Sequence, residues 1–165
     1  MAKRRRSGGG TPATVALDRA GIAYEIRAYE HDPAAASYGL EAAAALGVEQ
    51  ERVFKTLLVD TGQGLGVGIV PVDSLLDLKG VAVALGAKKV SMADPKVAER
   101  STGYVVGGIS PVGQRTALPT VVDESALAFG TVLVSGGRRG LDIELAPDDL
   151  LAVTEGTTAQ IARRD

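Results

Sequence analysis

The sequence predicts an α+β fold, a single domain with a mixed, curled or barrel-like β-sheet flanked by short helices. Strand-like and helix-like segments are interleaved irregularly, and several connections between strands are short enough for hairpins. This order does not fit a doubly wound fold, which needs a regular alternation of strand and helix. The chain has 165 residues, 45% of them hydrophobic, which suits one domain with its own core.

The composition excludes several classes of functional site. The sequence contains no cysteine and one histidine, which excludes disulfides, zinc held by cysteine and a protein thiol nucleophile, and no metal or cofactor motif is visible. The net charge of −2 leaves only local basic patches for any contact with nucleic acid. No apolar run is long enough for a membrane span, and the lack of cysteine fits a reducing cytoplasm.

The first ten residues, MAKRRRSGGG, differ from the rest of the chain. Four charges in close succession followed by Ser and three glycines cannot pack into a core, so residues 1–10 are predicted to form a flexible basic tail. An electrostatic arm for RNA is the alternative. The folded domain is expected over residues 11–165.

Capping and turn signals predict the elements of this domain in order. Helices are expected after the capping residues Thr11, Ser37, Asp77 and Asp94, and again from Pro147. Strands are expected at 22–29, 52–60, 65–72, 88–92, 120–122, 131–134, 141–145 and 160–162.

The strand at 52–60, RVFKTLLVD, is apolar on both faces except for Lys55, which shares one face with Val53 and Leu57. A desolvated ammonium costs several kcal/mol unless it is paired or serves a bound anion. Two interpretations follow: a lysine that extends to solvent or protects a sheet edge, or a lysine that reaches into a ligand pocket.

Two glycine-rich stretches could bind anions. The loop at 103–111, GYVVGGISP, could present backbone amides to an anion or a carbonyl oxygen, or it could be a glycine-rich corner of the sheet. The segment at 135–140, SGGRRG, suits a phosphate backbone or a solvated hairpin tip. By spacing alone, Asp142 and Glu144 indicate a solvent-facing side of a strand, and His31 indicates a structural residue in a turn.

Taken together, six segments resemble the YbaK-type Cys-tRNA(Pro) deacylases, which are related to the editing domain of prolyl-tRNA synthetase. The resemblance runs in order through the folded domain. The segments are YEHDP at 29–33, VFKTLLV at 53–59, LDLK at 76–79, LGAKK at 85–89, STGY at 101–104 with GGISP at 107–111, and SGG at 135–137 with RGLDIEL at 139–145. The resemblance implies trans-editing: prolyl-tRNA synthetase mischarges tRNA(Pro) with Cys, and the free-standing deacylase hydrolyses the ester.

The resemblance also implies roles for residues. Lys55 matches the family's essential lysine and would anchor the terminal phosphate or sugar, while backbone amides of residues 107–110 would hold the ester carbonyl and Asp142 the α-ammonium group. The implied catalytic residues are Lys55, Gly107, Gly108 and Ser110. The implied substrate-binding residues are Tyr29, Tyr38, Thr56, Tyr104, Ser135 and Asp142, with Tyr38 at a position where Phe is expected. Candidates for contact with the tRNA backbone are Lys88, Lys89, Arg138 and Arg139.

The partners implied are the acceptor end of tRNA(Pro) and, in a transient complex, prolyl-tRNA synthetase. No cofactor is implied. The nucleophile is either water or the thiol of the substrate cysteine, and the resembled family is thought to use the thiol. Two alternatives stay open, a deacylase for another mischarged tRNA such as Ala-tRNA(Pro), and a non-catalytic module that binds tRNA or a synthetase. The sequence does not predict the oligomeric state.

Overall fold

The structure, a computed structural model, describes residues 10–164. Apart from Gly10, the predicted tail therefore lies outside the described residues. The described part contains five α-helices and ten β-strands in irregular alternation, which confirms the α+β class.

The helices begin where the sequence places its capping residues. The side chains of Thr11, Ser37, Asp77 and Asp94 each accept a hydrogen bond from a backbone amide of the following turn, which satisfies a donor that a helix start leaves unpaired. A glycine with positive φ ends each of these four helices. The helices are α1 (Pro12–Ala20), α2 (Tyr38–Leu46), α3 (Leu78–Leu85), α4 (Pro95–Thr102) and α5 (Pro147–Thr154).

The strands within residues 10–164 form three sheets. They are β1 (Glu25–Ala28), β2 (Phe54–Asp60), β3 (Leu65–Pro71), β4 (Leu75–Leu76), β5 (Ser91–Met92), β6 (Thr120–Asp123), β7 (Val132–Arg138), β8 (Leu141–Leu145), β9 (Thr157–Ala159) and β10 (Ala162–Arg163). The largest sheet has the order β5-β2-β3-β6-β9 and is mixed, because β2 runs antiparallel to β3 and β5 whereas β3, β6 and β9 are parallel. The second sheet is antiparallel and has the strand order β1-β8-β7. The third sheet consists of β4 and β10. The mixed sheet is confirmed, and it does not close into a barrel.

Several strand boundaries differ from the predicted ones. The strand expected at 22–29 starts later, because the amide of Ile22 donates to the carbonyl of Leu17 and so belongs to the end of α1. The strand expected at 88–92 shrinks to β5, which pairs only with Val59 and Asp60 at the end of β2. Strand β9 was not predicted; it pairs with β6 in parallel.

Strand β2 is central, as the apolar pattern on both its faces predicts. On one face Val59 packs in a cluster with α3, and Val53 packs in a cluster with α2. On the other face Phe54 and Leu58 belong to the main core, which α1, β3, β7 and β8 also build. Lys55 lies on the first face, between the α2 and α3 clusters.

Candidate active site

A cavity of about 410 Å³ lies along an open edge of β2. On that side β2 pairs with β5 only at its end, and it meets β7 only through the single bridge between Val53 and Leu133. Between these two points the edge of β2 has no neighbouring strand, so residues 54–58 line the cavity from both faces of the strand. The start of α2, the start of α4, the glycine loop (residues 103–111) and the hairpin of β7 and β8 complete the walls.

The structure brings most of the predicted catalytic and substrate-binding residues to this cavity, although they come from distant parts of the chain. The cavity wall includes Tyr29, Tyr38, Lys55, Thr56, Gly107, Ser135 and Asp142. It does not include Tyr104, Gly108 or Ser110.

Lys55 is half-buried in the cavity wall. Burial lowers the pKa of its ammonium group, and the negative charge of Asp73 partly offsets this. Lys55 forms no salt bridge with another residue in the range 10–164. Its positive charge is therefore available to an anionic or carbonyl group in the cavity.

Asp142 is the deepest charged group of the cavity, and its side chain is only 6% exposed. Burial raises the pKa of Asp142 to about 7, although the positive charge of Arg27 pulls it down. Arg27 lies directly opposite Asp142 in the β1–β8 pairing, yet its guanidinium binds Glu144 instead. No hydrogen bond to the Asp142 carboxylate comes from the described part of the chain. A buried carboxylate without protein donors favours a cationic ligand, because leaving it unpaired is costly.

Glu144 holds the neighbouring part of β8 in place. Its carboxylate accepts hydrogen bonds from Arg27, Thr131 and Arg52, the last at 2.8 Å. Burial raises the pKa of Glu144, but these hydrogen bonds and the two positive charges outweigh it and lower the pKa overall. The solvent-facing interpretation of Asp142 and Glu144 is therefore wrong: one lines a cavity and the other is the centre of an ion-pair network.

The glycine loop is fixed against two neighbours. The amide of Val106 donates to the carboxylate of Glu99 on α4 at 2.8 Å. A side chain at Gly108 would place its Cβ 2.7 Å from the Cα of Arg138, and one at Gly107 would lie 2.8 Å from the ring of Tyr38. Only glycine allows this close approach of loop, hairpin and tyrosine.

The loop offers fewer amides to the cavity than the sequence predicts. The amide of Gly108 already donates to the carbonyl of Val105 at 2.9 Å. Ser110 is fully buried, and its hydroxyl accepts a hydrogen bond from the amide of Val112. Gly107 and Ile109 line the cavity, and their amides donate to no acceptor among residues 10–164. The candidate oxyanion donors therefore narrow from residues 107–110 to Gly107 and Ile109.

Tyr104 is a core residue rather than a cavity residue. Its side chain is 4% exposed, and its hydroxyl donates to the carbonyl of Val112 at 2.7 Å. The resemblance includes this position, but in the structure Tyr104 packs in the main core and is not part of the cavity wall.

Tyr38 of the cavity wall contacts Arg139 of the β7–β8 hairpin. The guanidinium of Arg139 lies 5.0 Å from the centre of the Tyr38 ring and donates two hydrogen bonds to the carbonyl of Val106, at 3.0 and 2.7 Å. His31 binds Glu41 at 2.8 Å and packs near Tyr38, which fits its predicted structural role. Arg138 is exposed on the same hairpin.

The remaining predicted residues have these positions. The hydroxyl of Thr56 is buried and has no hydrogen-bond partner among the described residues, whereas that of Ser135 accepts a hydrogen bond from the amide of Gly137. Lys88 and Lys89 are exposed and come just before Met92, a cavity residue. Burial, followed by the charge of Asp142, raises the pKa of Tyr29 to about 12.

Residues 10–164 contain no cluster of three or more side chains suited to hold a metal ion, and no helix in that range is long and apolar enough to span a membrane. The cavity combines a buried carboxylate, a lysine and two backbone amides, and within the described range the lysine has no salt bridge and the amides have no acceptor. This set can bind an ammonium group and, close by, a carbonyl oxygen that gains negative charge during a reaction.

Comparisons with known proteins agree on one family. Residues 32–153 match the family model described as the aminoacyl-tRNA editing domain. A relative from Enterococcus faecalis, named "Putative Cys-tRNA(Pro)/Cys-tRNA(Cys) deacylase EbsC", is 43% identical over 124 residues, which cover 74% of this chain and 76% of the relative. A solved structure described as "a putative trans-editing enzyme for prolyl tRNA synthetase" matches with a TM-score of 0.81 and 28% identity, over 92% of this chain and 95% of that one.

Proposed function

Because this chain belongs to the aminoacyl-tRNA editing domain family, we propose that it is an aminoacyl-tRNA deacylase that removes Cys from mischarged tRNA(Pro). The reaction hydrolyses the ester between the amino acid and the terminal ribose. We assign the editing domain to residues 11–165 and treat the basic residues 1–10 as a separate segment.

The observation that carries this proposal is the buried carboxylate of Asp142, which accepts no hydrogen bond from residues 10–164. Every aminoacyl ester has a free α-ammonium group, and Asp142 offers that group a carboxylate in a largely apolar cavity. Binding of the ammonium would stabilise the ionised form of Asp142, so ligand and carboxylate favour each other. This interaction positions the ester without discriminating between amino acids.

Lys55 and the amides of Gly107 and Ile109 act on the other side of the substrate. Lys55 binds the terminal phosphate or sugar as a point charge on a flexible stem. The two amides donate to the carbonyl oxygen as it becomes an oxyanion. The cavity wall supplies orientation and charge stabilisation. Among the described residues, none of the serine and threonine hydroxyl groups in this wall is hydrogen-bonded to a basic side chain that would activate it as a nucleophile.

The substrate's own thiol is the nucleophile in this mechanism. Its sulfur attacks the ester carbonyl carbon, a C–S bond forms, the C–O bond to the ribose breaks, and the ribose oxygen leaves as a hydroxyl with the proton that the thiol loses. The cyclic thioester then opens in water. Ser, Ala and Pro carry no thiol, which makes the chemistry itself a source of selectivity.

The RNA partner is the acceptor end of tRNA(Pro), and a transient complex with prolyl-tRNA synthetase would deliver it. Lys88, Lys89 and Arg138 are exposed cations close to the cavity in sequence or on its hairpin. Arg139 can add to this contact only by leaving the carbonyl of Val106.

Initial rates of deacylation across a panel of charged tRNAs test the proposal. We expect Cys-tRNA(Pro) to be cleaved far faster than Ser-, Ala- or Pro-tRNA(Pro), with or without a chelator. Lys55→Ala should lose about 100-fold or more of this rate while keeping its melting temperature, because it loses one electrostatic contact in a partly desolvated site. Cys-tRNA(Cys) belongs in the panel because the name of the relative includes it.

The panel separates the alternatives. Rapid cleavage of Ala-tRNA(Pro), or of a substrate whose thiol carries a methyl group, would show water to be the nucleophile and overturn the thiol mechanism. Binding of tRNA(Pro) with no cleavage of any ester would identify a non-catalytic module. A fully active Lys55→Ala variant would show that Lys55 takes no part in catalysis or substrate binding.

A further inference from the structure

A second concave surface lies on the far side of α4 from the active-site cavity. It is a groove of about 440 Å³, and its walls include Lys96, Glu99, Arg100, Gly103, Val105 and Arg115. We name it the α4 groove. The roles discussed so far do not involve its positive residues.

The α4 groove carries three positive side chains. Lys96 and Arg100 are four residues apart on α4, so they lie on the same face with about 5–6 Å between their Cβ atoms. Arg115 is brought beside them because its backbone amide donates to the carbonyl of Thr102 at 2.9 Å. Its guanidinium makes a long contact of 3.4 Å with the carbonyl of Arg100. That contact occupies one of five N–H donors and leaves the rest accessible.

These three cations, Lys96, Arg100 and Arg115, form no salt bridge within the part of the chain that the structure describes. Glu99 is the acidic residue of the groove wall, and its carboxylate accepts a hydrogen bond from the amide of Val106. Three positive side chains against this one carboxylate leave the groove wall with an excess of positive charge. Since the whole chain has a formal net charge of −2, this concentration of positive charge is local.

The groove and the active-site cavity share their dividing wall. Pro95 and Ala98 of α4 line the cavity, whereas Lys96 and Arg100 line the groove. The glycine loop continues the wall: Gly103 and Val105 belong to the groove, and residues 106 and 107 to the cavity. A ligand that emerges from the cavity over this wall therefore meets the three cations next.

We propose that the α4 groove binds the sugar-phosphate backbone of the tRNA whose aminoacyl end occupies the cavity. This inference rests on the proposed deacylase function and assigns that substrate a second contact surface. Two arginines and a lysine suit phosphate groups, because guanidinium binds phosphate through two parallel hydrogen bonds and lysine binds it as a point charge. Half-exposed Val105 gives the apolar side of a ribose a surface to pack on.

The three cations act as positioning residues. Contacts to phosphate fix the register of a nucleic acid and carry no information about its sequence or about the attached amino acid. Their loss should therefore weaken the binding of every tRNA alike and leave the choice of amino acid unchanged.

The test compares two triple variants with the wild-type protein. Lys96→Ala/Arg100→Ala/Arg115→Ala removes the groove cations. Arg19→Ala/Lys79→Ala/Arg163→Ala removes the same charge from exposed residues that line neither the groove nor the cavity. The readouts are KM and kcat for Cys-tRNA(Pro) and for the cysteine ester of adenosine, and the salt dependence of binding to uncharged tRNA(Pro).

We expect the groove variant to raise KM for Cys-tRNA(Pro) by about 10-fold or more at unchanged kcat, and to leave the adenosine ester unaffected. The slope of log affinity against log salt should flatten by about two to three units, one for each lost phosphate contact. The control variant should match the wild type in kinetics and salt slope.

Equal KM values and salt slopes for the two triple variants would overturn the groove assignment. If no ester is cleaved by the wild type, the deacylase function fails, and the binding experiment still decides whether the groove holds RNA. Because Arg115 contacts α4, the double variant Lys96→Ala/Arg100→Ala is measured as well, and it should show about two thirds of the change in slope.

Discussion

Two ionisable residues of opposite charge, Asp142 and Lys55, line one cavity and remain too far apart to form a salt bridge. Burial opposes ionisation of both, since it raises the pKa of Asp142 and lowers that of Lys55. Neither charge stabilises the fold, so the arrangement is explained by what the cavity binds.

Asp142 makes stability depend on pH. Its pKa is 3.8 in a model peptide and about 7 in the folded protein, so the folded state holds the proton more tightly than the unfolded state. Between about pH 4 and 7 the unfolded chain binds fewer protons, and the free energy of unfolding falls as pH rises through this window. Chemical denaturation of the wild type at several pH values, compared with Asp142→Asn, should show this fall only in the wild type.

The comparison with Asp142→Asn isolates one group, because the substitution keeps the side-chain shape and removes the titration. If the free energy of unfolding changes with pH in the same way for the two proteins, Asp142 is ionised in the folded state throughout the range from about pH 4 to 7. The same variant should lose affinity for an aminoacyl ester and keep affinity for uncharged tRNA.

The sequence identifies Lys55 as an unusual residue more readily than it identifies Asp142. The pattern singles out Lys55, because a charge inside an apolar strand conflicts with burial on both faces, but it leaves open whether the side chain extends to solvent or reaches into a pocket. The pattern does not single out Asp142, because Leu-Asp-Ile-Glu-Leu at 141–145 alternates as a strand with one wet face does. The cavity that it lines is completed by the start of α2 and the glycine loop, which lie about 100 and 35 residues away along the chain. The resemblance to a known family, and not the alternation of the strand, identifies Asp142 as a candidate site residue.

At the scale of elements, the glycine loop depends on its contact with the β7–β8 hairpin. A Cβ at Gly108 would lie 2.7 Å from the Cα of Arg138 and 3.0 Å from the amide nitrogen of Arg139, and both neighbours are backbone atoms that cannot rotate away. The position of the cavity amides at Gly107 and Ile109 therefore follows from this packing.

Gly108→Ala should separate the loop from the hairpin. We expect a loss of about 2 kcal/mol in the free energy of unfolding, the range for overpacking a tight site, together with a lower kcat because the amides move. Gly130→Ala is the matched control, since a Cβ there has no heavy atom within 4 Å and its φ is not positive. The control should change stability by no more than about 0.5 kcal/mol. Equal stability and kcat for the two variants would contradict the packing role.

Helix positions were predictable because their signals are local. Thr11, Ser37, Asp77 and Asp94 cap helices through contacts within three residues, so the chemistry of each start is readable in the sequence. The lengths and partners of the strands are harder to predict from the sequence, because they depend on segments that are distant along the chain. Strand β9, for example, exists through its pairing with β6, about 35 residues earlier.

At the scale of the whole molecule, Asp123 joins the C-terminal segment to the large sheet. Its buried carboxylate accepts hydrogen bonds from the amides of Ile161 and Ala162 at 2.9 and 2.8 Å. Ile161 is fully buried, and the strand β10 that follows it pairs with β4. One side chain thus satisfies the two backbone amides where the segment enters the core.

Asp123→Ala should leave those two amides without an acceptor. The expected loss is about 3 kcal/mol in the free energy of unfolding, because buried donors without a partner lose their solvation uncompensated. Asp60→Ala is the control, since Asp60 accepts one hydrogen bond from Gly62 at an exposed turn and should cost less than about 1 kcal/mol. Urea titrations measure the free energy of unfolding of both variants. A similar loss for both would contradict the role of Asp123 in holding the C-terminal segment.

Helix α4 lines the active-site cavity with one side and the α4 groove with the other, and this arrangement affects how the protein can evolve. Ala98 faces the cavity, and Lys96 and Arg100 face the groove, so mutations on one side of the helix leave the other side intact. A substitution at Ala98 would reshape the cavity wall and leave the cations of the proposed RNA-binding groove in place. A duplicated gene that starts from this scaffold would need few mutations to correct a different charging error.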